Sequence, residues 1–567
     1  MKNELHTRHR MPPLVQPNGD ITLNSLTKAN LLNQTFAKVF LNDDSSCEKL
    51  NININNGHIT PHIISTITFE DILESIMDMK SSVSQTPDQI PSLYIKKTAA
   101  ELLKPLFIIF NHSVRNSEIP SLWKKAIVIP IYKKGKANDP TNYRPISLTC
   151  VTCRLLERII HKLMFSHLTK NKLITSAQHG FVNKRSTQTQ QLVFLNKLTR
   201  MHDEKLQTDI VYLDFSKAFD TVSHVKLLKV LRHLKINNKV VLWIKDYLSH
   251  RTQATLVEDA RSSDVSITSG VPQGSVLGPL LFILYIDDLI RNVQEKCKNI
   301  EIYGYADDIK LLSNSHYELQ LALDIVNNWI DIWQLRLNTT KSEHITIREY
   351  QHNPLKVKNQ VIPKVTTVRD LGITISNDFS WMPYINKIRS KANSLSNSIL
   401  RTFSASNCWL LLGLYKTYVR PMVEYNTCSW SPYLDYEIKK IEGVQRKFTK
   451  KLCQKCNIRF SSYDERLNKL NLESLKTRRI KRDVTFLYKM FNNYVDIDIN
   501  VFFNLNSSSS RLRRHKFYIQ PKKLSKYEVR RNFFSNRVIN IWNSLPETIV
   551  CSETLNIFKS KIKNYKL

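Results

Sequence analysis

Ile300-Glu-Ile-Tyr-Gly-Tyr-Ala-Asp-Asp-Ile-Lys-Leu-Leu312 decides the fold. Two apolar arms, Ile300 to Tyr303 and Ile309 to Leu312, flank Gly304-Tyr-Ala-Asp-Asp308, a pattern that predicts a hairpin with carboxylates at its tip. Earlier in the chain, Ile210-Val-Tyr-Leu213 is a short continuous apolar run ending in Asp214. It predicts a buried strand whose last residue emerges at a sheet edge. If these strands are neighbours, Asp214 and Asp307 converge at one edge. Buried carboxylates must be paired or hold a metal. Such a pair suits two divalent cations roughly 3.5–4 Å apart, the arrangement that supports an in-line displacement. Turn acids exposed to water are the plain alternative.

Tyr285-Ile-Asp-Asp288 repeats the form of Tyr305-Ala-Asp-Asp308. It closes the apolar run Leu277 to Ile286, which has helical length and no strand after it, so its acids are expected to cap or leave a helix. The second pair has strands on both sides, and a tight hairpin holds carboxylates rigidly. The metal is therefore assigned to Asp307, with Asp308 as its companion.

The 567 residues are enough for several domains, and 42% apolar content is that of a folded chain. No run approaches the ~20 apolar residues of a membrane span. The N-terminus lacks the apolar core of a secretory signal, so an intracellular protein of nucleus and cytoplasm is expected. Nine cysteines without disulfide-like spacing fit a reducing compartment. The 83 Lys and Arg against 49 acids, a net charge of +34, point to a polyanionic partner. An Asn-, Ile- and Lys-rich codon bias is the alternative, but distribution argues against it. Residues 121–200 hold 15 bases and 2 acids, 201–315 hold 14 and 15, and 431–567 hold 30 and 12. A genome-wide bias would not spare the centre.

Helical spacing is read at 68–80, 93–117, 150–170, 189–205 and 223–234, with a strand at Ala126 to Tyr132. Residues 1–65 are Asn-rich and weakly patterned, and read as a loosely structured lead-in.

At this point the chain resembles a known family. Tyr212-Leu-Asp-Phe-Ser-Lys-Ala-Phe-Asp220, Ser269-Gly-Val-Pro-Gln-Gly-Ser275 and Tyr305-Ala-Asp-Asp308 are similar to motifs A, B and C of reverse transcriptases, in the wording of non-LTR (LINE-type, jockey- and chicken-repeat-like) retrotransposons. Ile129-Pro-Ile-Tyr-Lys-Lys-Gly135, Asn142-Tyr-Arg-Pro-Ile-Ser-Leu148, Gln178-His-Gly-Phe181 with Arg185-Ser-Thr187, Leu337-Asn-x-x-Lys341 and Leu371-Gly-Ile373 follow in family order. Tyr418-Val-Arg-Pro421, Glu424-Tyr425, Trp430-Ser-Pro432, Arg478-Arg479, Arg537 and Trp542-Asn-Ser-Leu-Pro546 extend the likeness. Val182 and Asn183 depart from the more basic residues of relatives. No endonuclease-sized domain is seen ahead of the polymerase.

The resemblance implies an α+β right-hand polymerase with a basic, mainly helical C-terminal region: fingers and palm over 66–375, a helical thumb over 376–450 and nucleic-acid binding over 451–567. It implies an RNA-directed DNA polymerase using an RNA template, a DNA primer, dNTPs and two Mg²⁺ ions, with Mn²⁺ as possible substitute. Asp214 and Asp307 would hold both metals, with Asp308 assisting and the carbonyl of Phe215 completing a position. Lys133, or its neighbour Lys134, and Arg144 would meet the triphosphate, since Lys offers a point charge and Arg a planar fork. Phe219 matches the gate that excludes a 2′-hydroxyl by clash, Gln273 lies in the turn facing the template–nucleotide pair, and Lys341 matches a general acid for pyrophosphate. Core aromatic, plain turn and exposed lysine are the structural alternatives.

A degenerate element that binds nucleic acid without catalysis and an intron-maturase-like polymerase stay open as other readings. Cys150-Val-Thr-Cys153 and Cys453-Gln-Lys-Cys456 have the spacing of half a zinc site, but neither has a second Cys/His pair at knuckle spacing, and four ligands close a structural site. Phe517, Tyr518, Tyr527, Phe533 and Phe534, interleaved with bases, fit either stacking on unpaired bases or a small core.

Overall fold

The computed structural model describes residues 11–42, 52, 66–83, 86–348, 353–403, 407–505, 515–521 and 525–565. In chain order its central elements are helix α1 (Ser25–Ala37), strands β1 (Lys125–Tyr132) and β2 (Tyr143–Leu148), helices α2 (Val151–Lys170) and α3 (Thr187–Asp203), strands β3 (Thr208–Leu213) and β4 (Arg251–Val257), helix α4 (Leu277–Lys296), and strands β5 (Glu301–Tyr305), β6 (Asp308–Ser313) and β7 (Glu343–Ile347). Helices α5 (Met382–Thr402), α6 (Asp435–Lys455), α7 (Leu475–Phe491), α8 (Phe534–Asn543) and α9 (Leu555–Asn564) follow.

The expected hairpin forms as β5 and β6, and β6 pairs antiparallel with β3 in a sheet of order β7-β3-β6-β5. Ile309 faces Leu213, so Asp214 and the hairpin tip lie at one end of the sheet. Alternation explains the continuous apolar runs. Val211, Leu213, Ile309 and Leu311 enter one core with α4, whereas Ile210, Leu312 and Ile345 enter a second with α3 and the C-terminal helices. The sheet is covered on both faces.

Helix α4 continues ten residues beyond Ile286 to Lys296, so Asp287 and Asp288 neither cap nor leave it. Both are buried by their partners. Asp287 pairs with Arg291 at 2.9 Å and accepts from Thr175 Oγ1 at 2.6 Å; Asp288 accepts from Trp329 Nε1 at 2.8 Å. At the start of α4 Val276 has no capping side chain, and Ser275 Oγ accepts from the Gly278 amide at 2.9 Å. Glu157 of α2, fully buried, accepts from the amides of Val276 (2.8 Å) and Leu277 (3.0 Å).

A second sheet runs β2-β1-β4, with β1 and β2 antiparallel and β1 and β4 parallel. Helix α1 covers it through Ala29, Leu32 and Phe36, which pack with Val128, Tyr143 and Val257. The reading of 1–65 as a loose lead-in is thus corrected for 11–42. The rest of that stretch, Ile52 apart, lies outside the described residues. The 93–117 helix is two helices, Ser92–Lys97 and Ala99–Asn116, broken at Thr98.

The division at 450 is also corrected, because it falls inside α6. Helices α5 and α6 share one core, while α7, α8 and α9 pack with α3 and the second face of the four-stranded sheet. The family-like C-terminal residues build these cores. Trp430 and Trp542 are fully buried, and Arg537 clasps Asp483 with two hydrogen bonds of 2.8 and 3.0 Å. Phe533 and Phe534 are buried, which favours the core reading of the aromatics. Cys456 is disulfide-bonded to Cys408, a pair that spacing did not suggest, and Cys453 is buried in the α5/α6 core. Neither Cys-x-x-Cys segment forms a zinc site among the described residues. No helix of the described residues is long and apolar enough to cross a membrane.

Glu157→Ala would strip the acceptor from two buried amides at the start of α4. A loss of about 2 kcal/mol is expected, measured as a lower urea midpoint; an unchanged midpoint would assign the cap no weight.

Candidate active site

Asp214 follows β3 directly and is anchored through its backbone. Its N–H donates to Ser342 Oγ (3.2 Å), and its carbonyl accepts from the Asn338 amide (2.7 Å). Phe215 bridges Leu337, while the Ser216 amide donates to the Arg336 carbonyl (2.8 Å). Phe215 is therefore in a non-hydrogen-bonded pair, which turns its own carbonyl away from that strand.

Asp307 occupies a two-residue turn closed by the Asp308–Tyr305 pair, with Ala306 at φ +55°. A non-glycine residue there needs outside support. Gln178 provides it, its Oε1 accepting from the amides of Ala306 (2.9 Å) and Gly180 (2.8 Å). Around it, the His179 amide donates to the Gly304 carbonyl and the Gly304 amide to the Ala177 carbonyl, both at 2.9 Å. A Cβ on Gly180 would lie 2.3 Å from the Ala306 nitrogen, so only glycine permits this approach.

The carboxylates feel one another. Burial raises the Asp307 pKa and Asp214 adds to the rise, while Arg144 and Lys133 pull it down. Asp308 is raised to about 6 by burial, then by Asp307, Asp370 and Asp214, against the pull of Lys310. Glu343 on β7 is raised by burial and by the charge of Asp214. Behind Asp308, buried Lys310 pairs with Asp370 and lies 3.8 Å from the Phe194 ring centroid. Among the described residues no group of three or more His, Cys, Asp or Glu stands ready to cage an ion by itself. Asp214, Asp307 and the Phe215 carbonyl, the groups the resemblance names for the metals, offer oxygen donors alone. Such donors fit a hard divalent cation whose remaining ligands come from water and substrate phosphates.

Phe219 is half-buried, stacked on Phe282 at 4.2 Å and edge-on to Phe181 at 6.3 Å. Gln273 Nε2 donates to Asp220 Oδ1 at 2.7 Å, while its carbonyl accepts from the Ser147 amide of β2 at 2.7 Å. Gly274, at φ +123°, passes so close to Ser147 that a Cβ would lie 2.4 Å from its carbonyl oxygen. Lys133 and Arg144 are exposed on the β1/β2 hairpin, near enough for both charges to act on Asp307. Lys134 is exposed beside Lys133. Lys341 is exposed in the turn before Ser342 and makes only backbone contacts with Asn338. Asp287 and Asp288 are elsewhere, inside α4.

Residues 131–375 match the model of the family described as reverse transcriptase (RNA-dependent DNA polymerase). Over those residues the chain is similar to reverse transcriptases. It is 26% identical over 469 residues, 77% of this chain and 50% of the relative, to the probable RNA-directed DNA polymerase from transposon X-element of Drosophila melanogaster. Identity is again 26%, over 465 residues and the same shares of each chain, with the RNA-directed DNA polymerase from mobile element jockey of that species. With the Pol polyprotein of the type-1 retrotransposable element R2 of Popillia japonica it is 27% over 273 residues, 45% of this chain and 38% of the relative. The chain spans about half the length of the first two of these relatives. Apo telomerase from Candida tropicalis is a structural neighbour at TM-score 0.34 and 11% identity, covering 48% of this chain and 59% of that one.

The reverse transcriptase motifs contained further residues whose work the sequence did not disclose. Gln178 and Asp220 stand inside quoted motifs, but only the structure gives them partners. The Lys310–Asp370 pair joins residues 60 apart and left no signal.

Burial raises the Asp220 carboxyl to about 6, against pulls from Gln273, Lys217 and Arg144. Between pH 4 and 6 the unfolded chain has already released this proton while the folded chain keeps it, so the group's contribution to stability falls as pH rises. Asp220→Asn removes that slope. The variant's stability relative to wild type should increase from pH 4 to 6 in urea titrations, and parallel curves would refute the assignment.

Proposed function

We propose that the chain is an RNA-directed DNA polymerase of the non-LTR retrotransposon type, extending a DNA primer 3′-hydroxyl with dNTPs along an RNA template. The observation that carries this reading is the register of β3 against β6, which brings Asp214 to Asp307 and Asp308 at one sheet edge facing the cations Lys133 and Arg144. The β1/β2 region then serves as fingers, the four-stranded sheet as palm and the helices after 376 as thumb.

Asp214, Asp307 and the Phe215 carbonyl would hold two Mg²⁺ ions, or Mn²⁺ in their stead, whose chemistry is to activate the attacking hydroxyl and neutralise the leaving pyrophosphate. Asp308 assists by adding negative charge beside Asp307, which strengthens the attraction for the cations. Lys133 and Arg144 bind the triphosphate from the fingers side. Phe219 excludes the ribose 2′-hydroxyl by its ring, which Phe282 backs. Gln273, held by Asp220, orients the backbone of its turn against the templating pair. Lys341 donates a proton to the departing pyrophosphate.

Primer extension with the purified chain tests this. Asp307→Ala should abolish incorporation while affinity for primer–template stays within a few-fold, because the carboxylate serves chemistry and the basic surface serves binding. Asp287→Ala should extend primers at low temperature yet lose about 3 kcal/mol of stability, since it takes the carboxylate partner from half-buried Arg291 and the acceptor from Thr175. The reverse pattern would reassign the catalytic pair.

Phe219→Val should raise the use of ribonucleotides relative to deoxynucleotides. An unchanged ratio in competitive extension would return this ring to the core.

A further inference from the structure

Two hydrogen bonds tie the N-terminal segment to the stretch that carries Gln273. The Leu41 amide donates to Ser269 Oγ at 2.8 Å, and Thr268 Oγ1 donates to the Leu41 carbonyl at 2.9 Å. Both backbone groups of one residue are thus held by consecutive side chains. Upstream, helix α1 is docked on β4 and the residues after it. Asn33 donates to the Ser263 carbonyl (2.8 Å) and accepts from Thr255 Oγ1 (3.2 Å), and Ser25 Oγ donates to Glu258 at 2.5 Å. Residues 25–42 therefore run from the sheet that bears Lys133 and Arg144 to Ser269.

Ser269 is buried, and its hydroxyl works in both directions. While it accepts from Leu41, it donates to the Asp220 carbonyl at 2.8 Å. Asp220 ends the single turn Ala218–Asp220, in which Phe219 sits. Two further bonds hold this turn and the residues after it: the Val271 amide donates to the Phe219 carbonyl and the Gly270 amide to the Val222 carbonyl, both at 2.8 Å. A Cβ on Gly270 would lie 2.7 Å from the Asp220 carbonyl oxygen, so the two segments touch backbone to backbone. A hydroxyl is one donor with two acceptor sites, which is what a bridge between the Leu41 amide and the Asp220 carbonyl requires.

A ring that excludes a 2′-hydroxyl by clash does so only while it cannot step back. Phe282 backs the ring of Phe219 at 4.2 Å, but the ring is rooted in the backbone of its turn, and the contacts just named fix that backbone. A shift of about half an ångström is enough to spoil a site that works by shape.

We infer that Ser269 is a positioning residue that sets sugar selectivity: through its hydroxyl, residues 38–42 keep the Phe219 turn in place, so that an N-terminal segment remote in the chain takes part in rejecting ribonucleotides. The role in selection rests on the polymerase reading above.

The test uses the full chain as wild type, Ser269→Ala, Thr268→Val and Thr268→Ser, together with Ser269→Ala in a Phe219→Val background. Values of kcat and KM are measured for a ribonucleotide and the matching deoxynucleotide on one primer–template, below the melting temperature of every folded variant. Ser269→Ala should raise the ribo-to-deoxy ratio of kcat/KM roughly tenfold, the scale of one buried hydrogen bond, with kcat for the deoxynucleotide within about twofold of wild type. Thr268→Val, which changes an exposed residue and keeps its shape, should raise the ratio about threefold, and Thr268→Ser, which restores the hydroxyl, should return it to the wild-type value. In the Phe219→Val background Ser269→Ala should leave the ratio where it is, because the serine acts through the ring. An unchanged ratio in Ser269→Ala and Thr268→Val would overturn the inference. So would equal losses with both sugars, the mark of a merely structural residue, or the same increase with and without Phe219. If Ser269→Ala does not fold, Thr268→Val and its rescue decide. A wild-type chain that extends no primer would sink the polymerase reading. The link to Leu41 is read apart from it, by hydrogen exchange without substrates: the 39–42 and 219–222 amides should quicken together in Ser269→Ala, and unmoved 219–222 rates would overturn the link.

Discussion

Like charges cannot be brought side by side at the end of a sheet without something to hold them, and the four-stranded sheet is organised around that constraint. The charge of Asp214 adds to the rise in the pKa values of Asp307, Asp308 and Glu343, and Asp307 raises that of Asp308 further. Repulsion of this kind would splay a flexible loop. Here each carboxylate is carried by backbone that cannot yield: Asp214 between paired strands, Asp307 in a turn clasped by Gln178, Asp308 on a strand backed by the Lys310–Asp370 pair. Lys133 and Arg144, exposed on the neighbouring β1/β2 hairpin, act on this edge by pulling the Asp307 pKa down.

The burial of both faces of the sheet follows from the same demand. A sheet with one wet face could flex at its end, whereas β3 and β6 are packed by α4 on one side and by α3 with the C-terminal helices on the other. The helix that looks like a second catalytic motif, α4, is part of this support. Its aspartates are spent on Thr175, Arg291 and Trp329, which fix the helix against the loop before Gln178 and against its neighbouring helix.

Much of this was legible in the chain. The apolar arms around Asp307, the run ending at Asp214 and the glycine-bearing turns are local signals, and local periodicity reports them directly. What escaped notice depends on partners far away. Helix α1 carries buried Lys28 and Asn33, which donate to the Met11 and Ser263 carbonyls, so its inner face reads as polar and its pattern as weak. The division at 450 followed charge, but charge describes the outer surface of α7 and α9, while their inner surfaces are Val484, Leu487, Phe558 and Ile562. Spacing gave no hint of the Cys408–Cys456 pair, because the α5/α6 core, not a motif, brings those residues together.

The second core has a consequence for how the chain comes to be folded at all. Ile210, at the centre of the palm sheet, buries its side chain in the same cluster as Val538, Trp542 and Phe558. These residues are more than 300 positions apart, a separation that slows folding through the entropy of loop closure. On a ribosome adding 5–20 residues per second, the palm strands would emerge roughly 20 to 60 s before the helices that cover them. During that interval α3 alone is there to cover this apolar face of the sheet. A nascent chain of this kind needs a temporary cover for it, and copies whose synthesis stops short would expose a sticky surface instead of a silent one, aggregating or being degraded before they could reach any template.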